Sequence, residues 1–190
     1  MAGVAVARTG AKFDNQVVST FSRGWGVART IAAGKQDDTF RLLKGQLSRF
    51  LSSDEPAAVV QELAEKLQKR GFGARGGRPT SLVSKFAYHL RPDSLAPRDG
   101  FAFRGLRAIH RGGLSSYVDY VNAFDKEFRR YKPAIVKECR RPWVRSLVQR
   151  LKTRFRPGFL ETSKFHRKVF DNLLSMEGGR WSLPGKARNA

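Results

Sequence analysis

The chain has 190 residues, about the length of one ordinary domain, with 37 Lys and Arg against 16 Asp and Glu and a formal charge of +21. Apolar residues make up 41%, including 14 Phe, 3 Trp and 4 Tyr, which is enough for a packed core and argues against wholesale disorder. The single Cys, Cys139, excludes a disulfide framework or a Cys-rich zinc module; three His, at 89, 110 and 166, argue against a metal enzyme.

The elements follow in chain order. Met1–Gly10 is small and apolar but too short for a signal peptide, and only weakly like a transit peptide. Residues 13–33 place apolar side chains at helical spacing, interrupted by Gly24 and Gly26. Asp37 or Asp38 is expected to cap a second helix carrying Phe40, Leu43, Leu47 and Phe50. Ser53-Asp54-Glu55-Pro56 signals a third, with Val59, Val60, Leu63, Ala64 and Leu67 as its buried stripe and Gly71 as its stop. Residues 71–79 read GFGARGGRP and must form a loop or tight turn. A helix from Thr80 or Ser81 to Leu90 follows, then a connection framed by Pro92 and Pro97.

Asp99 heads the next helix, which is expected to run to Gly112. Ser115 or Ser116 caps a long one, and Pro133 marks its end or a kink. Helices at 143–155 and 161–176 complete the set. No window alternates with period two, and no apolar run approaches the roughly 18 residues of a membrane span. The expected fold is all-α, one compact helical domain over 1–176 with a flexible tail at 177–190. Within it lie a hairpin and catalytic segment at 71–112 and basic helices at 115–176.

The charge is uneven. Residues 1–90 hold 14 basic and 7 acidic groups; residues 91–190 hold 23 and 9. Arg outnumbers Lys by 24 to 13, and its planar fork suits phosphate. Nucleic acid is the expected partner, ahead of a solvated basic face kept for solubility and of an anionic membrane surface.

The segment 76–109 carries the chemistry. A Gly-rich turn feeding a helix N-terminus is expected to point backbone N–H groups outward, towards phosphate. Gly76, Gly77, Arg75, Arg78, Ser81, Arg98, Arg104 and Arg107 are the candidate DNA contacts, with ion pairs as the other reading of Arg104 and Arg107. Asp99 follows Pro97 and precedes Gly100 at a plausible N-cap. Composition alone reads it as an ordinary cap.

The order of turn, helix, Pro-containing connection and Asp resembles the helix-hairpin-helix DNA glycosylases. Pro97-Arg98-Asp99-Gly100, with Phe103-Arg104 and Leu106, is similar to the segment around the essential Asp of the adenine-mismatch branch. The run from Ser84-Lys85-Phe86 to Asp99 is also similar to bacterial proteins labelled 8-oxoguanine-glycosylase-like. The likeness covers about 35 of 190 residues. It departs from the family in three ways: the hairpin is GARGGRP, Ser81 stands where lyase-active branches have a nucleophilic Lys, and no four-Cys cluster is present.

The resemblance implies a degenerate helix-hairpin-helix element and a monofunctional glycosylase with Asp99 as the essential carboxylate. It implies no cofactor and a double-stranded DNA substrate with a flipped base. The setting expected is the cytoplasm of a bacterium, as a monomer, in repair or in defence against phage carrying hypermodified bases. Lys85 is a displaced nucleophile or, more simply, a phosphate-contacting or solvated side chain. Trp25, Phe101 and Tyr88 are candidates for the base pocket, against core packing as the plainer reading. Two other readings stand beside this one. The first is a non-enzymatic basic protein of ribosome or nucleoid. The second is a nuclease or toxin, which the scattered acids disfavour.

Overall fold

The structure, a computed structural model, describes residues 24, 27–144, 146 and 158–179. These form helices and turns with no strand among them, so the fold is all-α. Two compact units are distinguished, one drawn from Met1–Arg98 and Ser116–Val118, the other from Asp99–Ser115 and Asp119–Ala190. The one-domain reading of 1–176 thus meets a chain whose packing changes unit at Arg98–Asp99.

The first unit contains a 3-10 turn at Ala28–Thr30 and four helices: α1 (Gln36–Gly45), α2 (Leu47–Ser52), α3 (Pro56–Lys69) and α4 (Thr80–Leu90). Helix α3 begins as its start signal requires, with Pro56 in the first turn, where a missing N–H costs nothing. Its whole expected stripe, from Val59 to Leu67, is buried. The chain leaves α3 through Gly71 at φ +69°, a conformation that glycine adopts without strain.

Helix α1 differs from expectation. Lys35 occupies its N-cap position without a side-chain cap, and Asp37 and Asp38 lie inside the first turn. There they face the positive end of the helix dipole rather than bonding its N–H groups. The stretch expected as one helix also breaks at Gln46 into α1 and α2.

Helix α4 is buried at every position except Ser81, which is half-exposed. A helix apolar on most sides belongs in a core, and Leu82, Val83, Phe86, Ala87 and Leu90 supply that surface. Tyr117 closes the unit, donating its hydroxyl to the Ala96 carbonyl at 2.7 Å.

The second unit contains α5 (Gly100–Ile109), most of α6 (Tyr117–Cys139), a 3-10 turn at Phe159–Glu161 and α7 (Ser163–Glu177). Pro133 neither ends α6 nor shortens it: the helix runs on to Cys139, with Pro133 on its exposed side. Helix α7 starts two residues later than expected because the 3-10 turn takes Glu161, and Thr162 accepts the Phe165 N–H at 3.2 Å as the cap.

Helices α5 and α7 meet at glycines. A Cβ on Gly105 would lie 1.9 Å from the Leu174 carbonyl oxygen, and one on Gly178 1.9 Å from that of Phe101. Beside this crossing, Phe124 meets Phe170 edge-on at 5.0 Å, and Tyr120 stacks on Phe103 at 6.3 Å. Arg167 is buried against this cluster, its guanidinium 5.0 Å from the Phe124 ring centre and 2.6 Å from Asp125.

Most of the first expected helix, most of the helix at 143–155 and the tail beyond Gly179 lie outside the described residues. No helix among those described is long and apolar enough to cross a membrane.

Candidate functional site

In the first unit the Gly-rich segment folds back on itself. Residues Ala74–Gly76 make a 3-10 turn, with Arg75 at φ 53° and Gly76 at φ 71°. Gly73 pairs with Ile31 in an isolated antiparallel bridge. A Cβ on Gly73 would sit 1.6 Å from the Gly77 carbonyl oxygen, so only glycine fits there.

The N–H groups expected to face outward are used inside the turn. Gly76 donates to the Gly73 carbonyl at 3.2 Å and Gly77 to the Ala74 carbonyl at 3.0 Å. The reason is the 3-10 geometry, which closes each donor on a carbonyl three residues back. Phosphate contact at Gly76 and Gly77 through these donors is therefore not available in this conformation.

Arg78 is likewise committed. Its guanidinium lies 3.2 Å from Glu65 and donates to Gln68 at 3.3 Å, while Gln68 donates onward to the Gly76 carbonyl at 3.0 Å. Helix α3 thus holds the turn by side chains. Arg75 projects from the turn as an exposed cation. Ser81 is half-exposed in the first turn of α4, and its carbonyl accepts from Ser84.

Lys85, expected as a displaced nucleophile, a phosphate contact or a solvated side chain, is instead buried, 6% exposed, because α4 is a core helix. Tyr88 is 2% exposed and is core in this conformation, as the plainer reading of it held. Trp25 lies outside the described residues.

Ser84 is a residue whose role the pattern did not reveal. Fully buried, its hydroxyl accepts the Arg98 N–H at 3.0 Å and donates to the Ser81 carbonyl at 3.2 Å. It ties α4 to the end of the connection, next in the chain to Asp99.

In the second unit Asp99 is the N-cap of α5. One oxygen, Oδ1, accepts the N–H groups of Phe101 at 3.0 Å and Ala102 at 2.9 Å. Extended backbone at Asp99, with ψ 176°, permits this geometry. The carboxylate is half-exposed and fixed at the positive end of the helix.

The same helix carries exposed Phe101, Arg104 and Arg107. Arg104 stacks its guanidinium 4.6 Å from the Phe101 ring centre and donates to the Gly178 carbonyl at 3.2 Å, and pairs with no acid among the described residues. His110, at the C-cap of α5, is bonded to Glu127 at 3.0 Å, a structural pair.

The candidate residues therefore fall into two groups. Arg75, Gly76, Gly77, Arg78, Ser81, Lys85, Tyr88 and Arg98 belong to the first unit; Asp99, Phe101, Arg104 and Arg107 belong to the second. No group of three or more His, Cys, Asp or Glu among the described residues is placed to hold a metal ion. No protein-family model, curated protein or solved structure matches the chain.

Proposed function

We propose that this protein is a monofunctional DNA N-glycosylase in which Asp99 is the essential carboxylate. The observation that carries the reading is the placement of Asp99 at the head of α5, held by two backbone N–H groups on the helix that exposes Phe101, Arg104 and Arg107. Breaking an N-glycosidic bond develops positive charge on the sugar. A carboxylate fixed in one rotamer stabilises that charge and orients the attacking water. The helix N-terminus and the two N–H bonds supply the fixing.

The substrate is double-stranded DNA with its target base turned out of the stack, and an exposed aromatic such as Phe101 suits stacking on a base. The net charge of +21 supplies attraction to the phosphate backbone. Ser81 offers no amine for a Schiff base, so the product is an abasic site in an intact strand. A bacterial cytoplasm is the setting, with repair or removal of phage hypermodified bases as the biological use.

A second reading, a non-enzymatic nucleic-acid-binding protein, is favoured by the same cap: two N–H bonds to Oδ1 suffice to explain an Asp at this position. A base-release assay separates the two. The protein is incubated with damaged duplexes and with DNA carrying hydroxymethylated or glucosylated pyrimidines, and half of each sample is treated with alkali. The glycosylase reading expects breaks only after alkali. Breaks without alkali point to a lyase or a nuclease, and intact DNA with salt-sensitive binding favours the second reading.

A further inference from the structure

The second unit contains a cavity that the glycosylase reading does not use. Its volume is about 320 Å³, at the small end of ligand pockets. The C-terminal turns of α6 form one wall; the 3-10 turn at Phe159–Glu161 and the start of α7 form the other. Lys132, Cys139 and Arg140 contribute from the first wall, and Glu161, Ser163 and His166 from the second.

Two features give this cavity a chemical preference. Lys132 and Arg140 both line it, so a fixed positive charge and a planar fork of donors converge on one space. His166 is buried, 4% exposed, and lines the same space. Burial holds its imidazole below the ordinary histidine range, against a hydrogen bond to the Leu160 backbone, and the charge of Lys132 lowers it further. An imidazole that lines the same space as two cations can share a hydrogen bond with an anion held there. Glu161, an exposed acid of the lining, is an acceptor for hydroxyl groups.

We propose that this cavity is a binding site for a phosphate monoester, with Lys132 and Arg140 as the phosphate ligands and Glu161 facing the hydroxyl-bearing part of the ester. The site is separate from Asp99 and stands or falls independently of the glycosylase reading.

Cys139, the only cysteine of the chain, lines the cavity and reports on its occupancy. The experiment measures the rate at which the intact protein reacts with a neutral thiol reagent. The additions compared are inorganic phosphate, a nucleoside monophosphate, the matching nucleoside, a 5′-phosphorylated oligonucleotide, its unphosphorylated twin, and chloride at equal ionic strength. At ten times its Kd a ligand leaves about one-tenth of the sites open, so alkylation slows about tenfold.

The proposal expects this slowing with the phosphate monoester and not with the nucleoside or chloride. Protection by the free nucleotide identifies a small-molecule site, and protection by the phosphorylated oligonucleotide alone identifies a strand end. Lys132→Gln and Arg140→Gln are each expected to raise the concentration needed for protection by roughly tenfold. Both positions are exposed, and unchanged thermal melting of these variants establishes that the fold is intact. Protection equal with chloride, protection unaltered in both variants, or none with any phosphate compound overturns the proposal.

Discussion

Gly105→Ala tests the packing that positions α5. The added methyl would sit 1.9 Å from the Leu174 oxygen, 2.7 Å from its carbonyl carbon and 2.9 Å from its Cα. Ordinary carbon contacts lie at about 3.5–4.0 Å, so α5 and α7 must separate by more than about 1 Å. No rotamer change relieves this, because the three nearest atoms are all backbone. Overpacking of this kind costs roughly 1–3 kcal/mol, and the upper end applies here. Against it, Ala gains about 1 kcal/mol of helix propensity over Gly. The net loss is about 2 kcal/mol, which at a urea slope of roughly 2 kcal/mol per molar moves the midpoint down by about 1 M. Gly45→Ala, at the end of α1 with nothing within 4 Å of the new Cβ, is the control and should be neutral or stabilising. Urea unfolding followed by circular dichroism measures both. If Gly105→Ala unfolds at or above the wild-type midpoint, the close helix crossing is not a real constraint.

Three further outcomes are expected. Ser84→Ala removes the hydroxyl that accepts the Arg98 N–H and should cost about 1 kcal/mol by denaturant unfolding, lowering any base release as the connection before Asp99 loosens. Asp125→Ala removes a carboxylate 2.6 Å from the buried Arg167 guanidinium; a loss of about 1.5–3 kcal/mol in the same assay is expected. His166 is held below its unfolded value, chiefly by burial, so the unfolded chain binds the extra proton more readily. Stability should therefore be complete above the unfolded value near pH 6.5 and fall as pH drops through the window down to the lowered folded value. Melting temperature against pH measures this slope, and His166→Gln should flatten it.

The elements most legible in the sequence were those with a local signal at each end. Pro56 and Gly71 bracket α3, Thr80 follows Pro79 as the first residue of α4, and Asp99 caps α5. Pro133, expected as an end or a kink of α6, does not end it: a proline there removes one backbone bond and crowds the carbonyl four residues back, and packing of Phe124, Phe128 and Ile135 outweighs that loss. Asp37 and Asp38 misled because a negative charge in the first turn is favourable whether or not it caps.

The cap role of Asp99 was readable from Pro97-Arg98-Asp99-Gly100, and its local geometry agrees. The state of the Gly-rich turn was not readable, because glycine content says where a chain bends and not which carbonyls its N–H groups meet. The commitment of Arg78 to Glu65 and the burial of Lys85 depend on contacts 13 residues apart and on a core helix, and no local pattern encodes either. The cavity beside α6 had a faint signal. Lys132, Cys139 and Arg140 share one helical face by spacing, but the opposite wall arrives from 161–166 through the tertiary fold.

The most direct measurement compares wild type with Asp99→Asn on a DNA from which wild type releases a base. Asn is as good an N-cap as Asp, so fold and melting temperature should be retained. It removes the negative charge that the proposed reaction requires. The expected result is unchanged melting, retained salt-sensitive DNA binding and loss of alkali-dependent strand breaks. Full base release by a normally folded Asp99→Asn protein would contradict the assignment of Asp99 as the essential carboxylate.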